Sequence, residues 1–394
     1  MAKILQNDRR RFLTIAASTI AAAFGLPSTS AAAFGASSTG TATTHAPTPF
    51  GLPSTSAPAT SAPPTGAQSS PSANGALDSL KKANGWINTQ PIPATSLTGK
   101  VVLIDFCTYS CINWLRTLPY IRAWSEKYKD QGLVVIGIHT PEFEFEHNSE
   151  NIRLALKTMK VEYPIAIDND RSIWNAFDNQ YWPALYLLDS RGKIQYHRFG
   201  EGDYIRGEKS IQQLLSGTGA GTANIIHDLV SIDPPGIEAA ADWNNLKSGE
   251  NYLGYQRTEN FSSPGGPTPD KHFAYNFPKV FTLNQWALAG DWTMQEHAIL
   301  LNQPNGQIGY QFHARDLHIV MGSADKTKPI RFKVLIDGQL PGAAHGIDVN
   351  EEGLGSVSEP RLYQLIRQPG RITDRRFTIE FLDPGLQAFS FTFG

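Results

Sequence analysis

Cysteine is nearly absent from this chain of 394 residues: Cys107 and Cys111 are the only two. That excludes a disulfide-stapled scaffold. It also excludes a cysteine-rich zinc site, because two thiols would need histidine or carboxylate help at ligand spacing. An excess of positive charge is missing as well. The net charge is −2, so there is no strongly basic surface to hold a nucleic acid, and none is expected as a partner. The charge-free stretch at residues 12–26 is short and alanine-rich. It suits the core of an export signal better than a stable membrane span.

Asp8-Arg9-Arg10-Arg11-Phe12-Leu13-Thr14 opens that stretch. Paired arginines followed by Phe-Leu have the form of a twin-arginine export signal. Ala31-Ala32-Ala33 supplies small residues for cleavage. Residues 1–33 are therefore expected to be a signal peptide that delivers the protein to the periplasm or cell envelope; a retained N-terminal membrane anchor is the alternative. Residues 34–76 are Ser, Thr, Ala, Pro and Gly with almost no charge, and one octapeptide, Phe-Gly-Leu-Pro-Ser-Thr-Ser-Ala, stands at both 24–31 and 50–57. Such a segment has too few large apolar side chains to offset ordering entropy, which predicts a disordered linker.

Residues 77–215 read as a folded block. Val101-Val102-Leu103-Ile104-Asp105-Phe106 and Leu133-Val134-Val135-Ile136-Gly137-Ile138 suit buried strands. Between them Leu115, Leu118, Ile121, Trp124 and Tyr128 recur at helical spacing. A strand–helix–strand crossover follows, with parallel pairing. A second helical stretch carries Ile152, Leu156 and Met159, and two further strand runs, 184–188 and 193–198, are joined by Asp189-Ser190-Arg191-Gly192. This order predicts a three-layer α/β fold with a mixed sheet. Residues 217–222 read as a Gly/Thr-rich link. Residues 225–394 read as an all-β sandwich, jelly-roll-like, from short β-rich runs punctuated by Pro304-Asn305-Gly306, Asp337-Gly338 and Asp383-Pro384-Gly385.

The chemistry is concentrated in Phe106-Cys107-Thr108-Tyr109-Ser110-Cys111-Ile112-Asn113-Trp114, where the first strand passes into the helix. Cys111 is expected at the helix N-terminus, where unpaired N–H groups and the helix dipole stabilise a thiolate. Ordinary dithiol enzymes hold a second thiol three residues on, to resolve the mixed disulfide. Here that position is Trp114. Cys107 can take the role only if residues 108–110 turn tightly: four extended residues span roughly 13 Å, and a disulfide needs Cα atoms about 4.4–6.8 Å apart. Otherwise Cys107 is a small buried residue at a strand end. His139, Glu142, Glu144, Glu146 and His147 match no ligand spacing and read as a polar loop, so no metal and no cofactor is expected. Trp243, Tyr252, Tyr255, Trp286 and Trp292 are candidates for stacking on a glycan, with core packing as the other reading.

The first block resembles the thioredoxin-like domain of the DipZ family, relatives of the TlpA and ResA periplasmic thioredoxins. The resemblance rests on Gly99-Lys100-Val101-Val102-Leu103-Ile104-Asp105-Phe106, on residues 108–113, on Leu115-Arg116-Thr117-Leu118-Pro119-Tyr120, on His139-Thr140-Pro141-Glu142-Phe143 and on Tyr181-Trp182-Pro183-Ala184-Leu185-Tyr186. The C-terminal block resembles that family's carbohydrate-binding-module-like domain through Gly290-Asp291-Trp292, Phe312-His313-Ala314-Arg315-Asp316-Leu317 and Glu359-Pro360-Arg361-Leu362-Tyr363. The resemblance implies a thioredoxin fold, a cis bond at Trp182-Pro183 facing the reactive cysteine, and a separate membrane electron donor. The family has Trp at the position of Cys107 and a second Cys at the position of Trp114, so the two residue types are exchanged here. Copper-carrying thioredoxin folds use a Cys-x-x-x-Cys that starts at the helix-side cysteine, which is a different geometry.

The expected function is a thiol–disulfide oxidoreductase acting on protein disulfides or thiols. Cys111 and Cys107 are the candidate catalytic residues, and Tyr109, Trp114, Trp182 and Pro183 the candidate substrate-binding ones. A redox-inactive protein whose β-domain binds glycan or a protein partner is the alternative from another class. A one-Cys, peroxiredoxin-like antioxidant is the third reading.

Overall fold

The structure is a computed structural model that describes residues 73–217, 228–325 and 328–394. The expected export signal, nearly all of the expected linker at 34–76 and residues 218–222 of the Gly/Thr-rich link lie outside the described residues. All described residues belong to one compact unit.

The first half runs α1 (Ala73–Asp78), β1 (Gly85–Ile87), β2 (Val101–Cys107), α2 (Ile112–Tyr128), β3 (Leu133–His139), α3 (Ser149–Thr158), β4 (Ile165–Ile167), α4 (Ser172–Ala176), β5 (Ala184–Leu188), β6 (Ile194–Phe199) and α5 (Tyr204–Ser216). The sheet order is β1-β4-β3-β2-β5-β6. Strands β2, β3 and β4 are parallel, and β1, β5 and β6 run against their neighbours. β2 lies inside the sheet and all its residues are buried, which explains its unbroken apolar reading. Alternation along β2 and β3 sorts side chains to two faces. Val101, Leu103, Cys107, Leu133 and Val135 pack with α2, α3 and α5. Val102, Ile104, Phe106, Ile136 and Ile138 pack with α1 and α4. This is the thioredoxin-type α/β layering expected from the sequence.

The second half is built of β7 (Asn251–Tyr252), β8 (His272–Tyr275), β9 (Trp286–Met294), β10 (Ile299–Leu301), β11 (Gly306–Phe312), β12 (Asp316–Ser323), β13 (Ile330–Ile336), β14 (Leu354–Val357), β15 (Arg361–Arg367), β16 (Arg375–Phe381) and β17 (Leu386–Phe393). They form one curled antiparallel sheet ordered β14-β13-β16-β11-β9-β10-β17-β12-β15, with β7 on β17 and β8 on β9. The curl closes the sheet into a sandwich-like half-barrel. β9 is its corner strand. Residues 286–289 pair with β11, while residues 292–294 pair with β10. Gly290 stands at the change of partner with φ +97°, and a Cβ there would lie 3.0 Å from Gly306 Cα. A side chain is therefore excluded on two grounds, backbone conformation and space.

One edge of this sheet is buried on both faces. Ile319, Tyr363 and Phe391 point into the β-domain core, while Val320, Leu362 and Phe389 join the apolar cluster beneath α2. Both domains therefore share one hydrophobic cluster. Substituting Gly290→Ala is expected to destabilise the protein by about 1–3 kcal/mol, read as a lower denaturation midpoint in urea with secondary structure retained. An unchanged midpoint would remove the corner role from Gly290.

Candidate active site

The end of β2 and the start of α2 meet in a tight turn. Cys111 N–H donates to Thr108 O at 3.2 Å, and Leu115 N–H donates to Cys111 O at 3.0 Å as the first helical bond. Cys111 is thus the N-cap of α2, with φ −78° and ψ 116°. Its thiol is half-buried and free, as is the wholly buried Cys107 thiol. Cys111 Sγ faces Trp182 O at 3.9 Å, and the Trp182–Pro183 bond is cis. Trp182 is fixed by its indole N–H, which donates to Thr140 O at 3.0 Å, and by the Trp174 ring at 4.4 Å. Pro183 is buried beneath it.

The thiolate expected of Cys111 is not its resting form. Burial and then the Glu142 carboxylate push the Cys111 thiol well above its ordinary value, with Glu250 adding to the push. The N–H groups of Trp114 and Asn113 pull the other way and lose. Desolvation outweighs a helix-terminus effect of about one kcal/mol.

Two of the four expected substrate-binding residues do not face a substrate. Trp114 is 0 % exposed. Its indole N–H donates to Asp105 Oδ2 at 3.0 Å, and Tyr163 O–H donates to the same oxygen at 3.3 Å. Tyr109 is also buried; it stacks on His139 at 5.7 Å and donates to Pro360 O of the β-domain at 3.3 Å. Both side chains point inward because α2 lies across this face of the sheet. Trp286 and Trp292, read as candidate sugar platforms, are 0 % exposed core residues. Trp243 remains on the surface.

Sequence reasoning missed Glu146. In a stretch read as a polar loop, this side chain is wholly buried. One oxygen accepts from Ser110 N at 3.3 Å and Ser110 Oγ at 2.6 Å; the other accepts from Glu142 N at 2.8 Å and Phe143 N at 2.9 Å. A single carboxylate thus ties the residue before Cys111 to the loop after β3. The only sequence signal was an acidic residue set among Phe143 and Phe145. Among the described residues, no group of three or more His, Cys, Asp or Glu converges as a metal site.

The β-domain closes one side of the site. Tyr252 O–H donates to Glu142, Arg257 lies 3.6 Å from the same carboxylate and 3.4 Å over the Tyr252 ring, and Phe389 packs on Phe143 and Phe145 at 5.3 and 4.8 Å. A small cleft of about 110 Å³ opens between Glu142–Phe143 and the segment carrying Tyr252, Gln256 and Arg257.

Comparison with known proteins agrees with this layout. Residues 78–197 match the AhpC/TSA family, and residues 248–394 match the family described as thioredoxin like C-terminal domain. Protein DipZ of Mycobacterium tuberculosis (strain CDC 1551 / Oshkosh) is 33 % identical over 328 residues, 81 % of this chain and 43 % of DipZ. The chain therefore spans less than half the length of that relative. Thiol-disulfide oxidoreductase YkuV of Bacillus subtilis (strain 168) is 27 % identical over 139 residues, 35 % of this chain and 93 % of YkuV. A solved thioredoxin-like protein in the oxidised form is 27 % identical, with a TM-score of 0.32, over 34 % of this chain and 90 % of its own.

The environment of Asp105 gives a pH test. Burial raises its carboxyl to about 6, against the lowering bonds from Trp114 and Tyr163. Between about pH 4 and 6 the folded chain holds a proton that the unfolded chain has released, so this group makes stability fall as pH rises, by roughly 3 kcal/mol. His139, lowered to about 3 by burial, acts in the opposite sense, since the unfolded chain takes up its proton first as pH falls below about 6.5. Denaturation midpoints of Asp105→Asn, measured from pH 4 to 7, should therefore gain on the wild type as pH rises through 6. A constant offset between the two would contradict the raised carboxyl. By fold and sequence, the chain is a DipZ-like, thioredoxin-like protein, in which an AhpC/TSA-type redoxin domain is followed by the thioredoxin-like C-terminal domain.

Proposed function

We propose that this protein is an exported thiol–disulfide oxidoreductase of the bacterial cell envelope that attacks substrate disulfides through Cys111. The observation that carries the reading is the place of that thiol: at the N-cap of α2, half-buried, opposite the Trp182 carbonyl of the cis-proline loop. An extended polypeptide can bond to that loop while its disulfide meets Cys111. The small ionised fraction of Cys111 attacks one sulfur, a mixed disulfide forms, and the other sulfur leaves as a thiolate. Release then requires Cys107 or an external thiol, because Trp114 stands where an ordinary second cysteine would. Export rests on Arg9-Arg10-Arg11-Phe12-Leu13. Among the described residues no helix is long and apolar enough to cross a membrane, and a separate membrane protein is the proposed electron donor. Residues 1–33 as signal, 34–76 as linker, 77–215 as redoxin and 225–394 as β-domain are the proposed boundaries.

A second reading has support of its own. The buried Cys107 and the raised Cys111 thiol also fit a fold that keeps the groove without turnover, leaving binding of a protein or glycan to the β-domain.

Insulin reduction separates the two. Cys111→Ser should abolish it. Trp114→Cys alone would leave a cavity and strip Asp105 of a donor, at a cost of about 3–5 kcal/mol. The paired exchange Cys107→Trp with Trp114→Cys keeps the volume and should turn over severalfold faster than wild type. Wild type and Cys111→Ser with equal, background activity would favour the binding reading.

A further inference from the structure

Arg171 is a cation in the wall of the thiol site that no carboxylate claims. It is exposed and stands at the N-cap of α4 with φ +59°, a left-handed backbone that is uncommon for a long side chain. Its guanidinium lies over two indoles, 5.2 Å from the Trp182 ring centre and 5.5 Å from that of Trp174. One of its nitrogens donates to Pro141 O at 3.2 Å. Arg171 therefore joins the two loops that flank Cys111. The first is the cis-proline loop, whose Trp182 carbonyl lies 3.9 Å from the thiol. The second is the loop after β3, whose Thr140 carbonyl holds the Trp182 indole N–H. Stacking on the rings sets the plane of the guanidinium in advance. Among the described residues its side chain forms no ion pair and no other hydrogen bond, so most of its donor fork is open.

The acidic groups of these walls are engaged elsewhere. Glu142 accepts from Tyr252 and lies 3.6 Å from Arg257, and Glu250 faces the same arginine. Arg257 is thus committed to the β-domain side, where it also stacks on Tyr252. Glu146 is wholly buried under its own four donors, and Asp170 accepts from Ser172 N at 3.0 Å.

We propose that Arg171 is a specificity-determining residue: it receives a carboxylate carried beside the substrate disulfide, so that Cys111 attacks acidic-flanked disulfides of extended polypeptides in preference to neutral or basic ones. The proposal rests on Cys111 being the attacking thiol. A chain that bonds to the Trp182 backbone passes the Trp182 side chain. Each extended residue advances it by about 3.3–3.6 Å, so an Asp or Glu one or two residues from the half-cystine comes within reach of the guanidinium. Such a pair is charge-assisted and fits the guanidinium fork in two-pronged form. At an exposed position it is also weak enough to release the product.

Matched disulfides read the preference. The dianionic aromatic disulfide DTNB and the neutral dithiodipyridine each release one absorbing thiol when Cys111 attacks. Two peptide disulfides that differ only in Glu or Lys beside the cysteine supply the polypeptide case. In Arg171→Gln the ratio of the DTNB rate to the dithiodipyridine rate should fall roughly fivefold, and the preference of the wild type for the Glu peptide should be lost. Arg171→Lys should keep part of both, and Arg257→Gln all of both. Added salt should lower the wild-type ratio and leave that of Arg171→Gln unchanged. Comparing ratios between wild type and variant cancels both the intrinsic reactivity of each disulfide and any general loss of folded protein. The proposal is overturned if Arg171→Gln keeps the wild-type ratio, if the wild type attacks the two peptides equally, or if Arg257→Gln erases the preference and Arg171→Gln does not. No release from the wild type with any disulfide would instead defeat the reading of Cys111 as the attacking thiol.

Discussion

The indole of Trp114, bonded to a buried carboxylate, fixes the rest of the site. Asp105 is wholly enclosed by the sheet and α2, and an unpaired charge there would be costly. Trp114 and Tyr163 each supply a donor to Oδ2, and the Trp114 ring fills the space between helix and sheet. Because this side chain is needed inside, the helical position that would carry a second thiol is closed to redox work. Cys111 must find a partner on the strand side or outside the protein.

A second constraint holds the reacting thiol against its surroundings. Glu146 accepts from Ser110 and from the backbone of Glu142 and Phe143, so the turn before Cys111 cannot shift without the loop after β3. That loop is in turn seated on the β-domain through Tyr252, Arg257 and Phe389. The C-terminal half is therefore more than an appended binding module. It supplies one wall of the thiol site, and its presence is part of why burial dominates the Cys111 thiol.

The layering was legible where hydrophobic periodicity was strong. The runs at 101–106 and 133–138 became central strands, and Leu115, Leu118, Ile121, Trp124 and Tyr128 all lie on the buried side of α2. In the C-terminal half the β-rich runs at 308–312, 317–321, 330–336, 362–366, 377–382 and 389–393 fell within or largely within β11, β12, β13, β15, β16 and β17. The bend in β9 was not legible, because it depends on how close Gly306 approaches Gly290. Cys111 as the helix cap could be read from its neighbours. The inward turn of Tyr109 and Trp114 could not, since both depend on partners far along the chain, Pro360 for one and Tyr163 beside Asp105 for the other. The direction of the Cys111 shift was missed for the same reason: the helix terminus is local and visible in sequence, whereas Glu142 and Glu250 arrive by folding.

The central claim is that Cys111 is the attacking thiol. Both cysteines lie in one tryptic peptide, residues 101–116, between cleavage after Lys100 and cleavage after Arg116. The folded protein can be equilibrated in a glutathione redox buffer, blocked with an alkylating agent and digested. The account predicts that Cys111 escapes alkylation as the buffer becomes oxidising, either carrying glutathione or in a peptide lighter by two hydrogens. A peptide alkylated on Cys111 at every poise would contradict it.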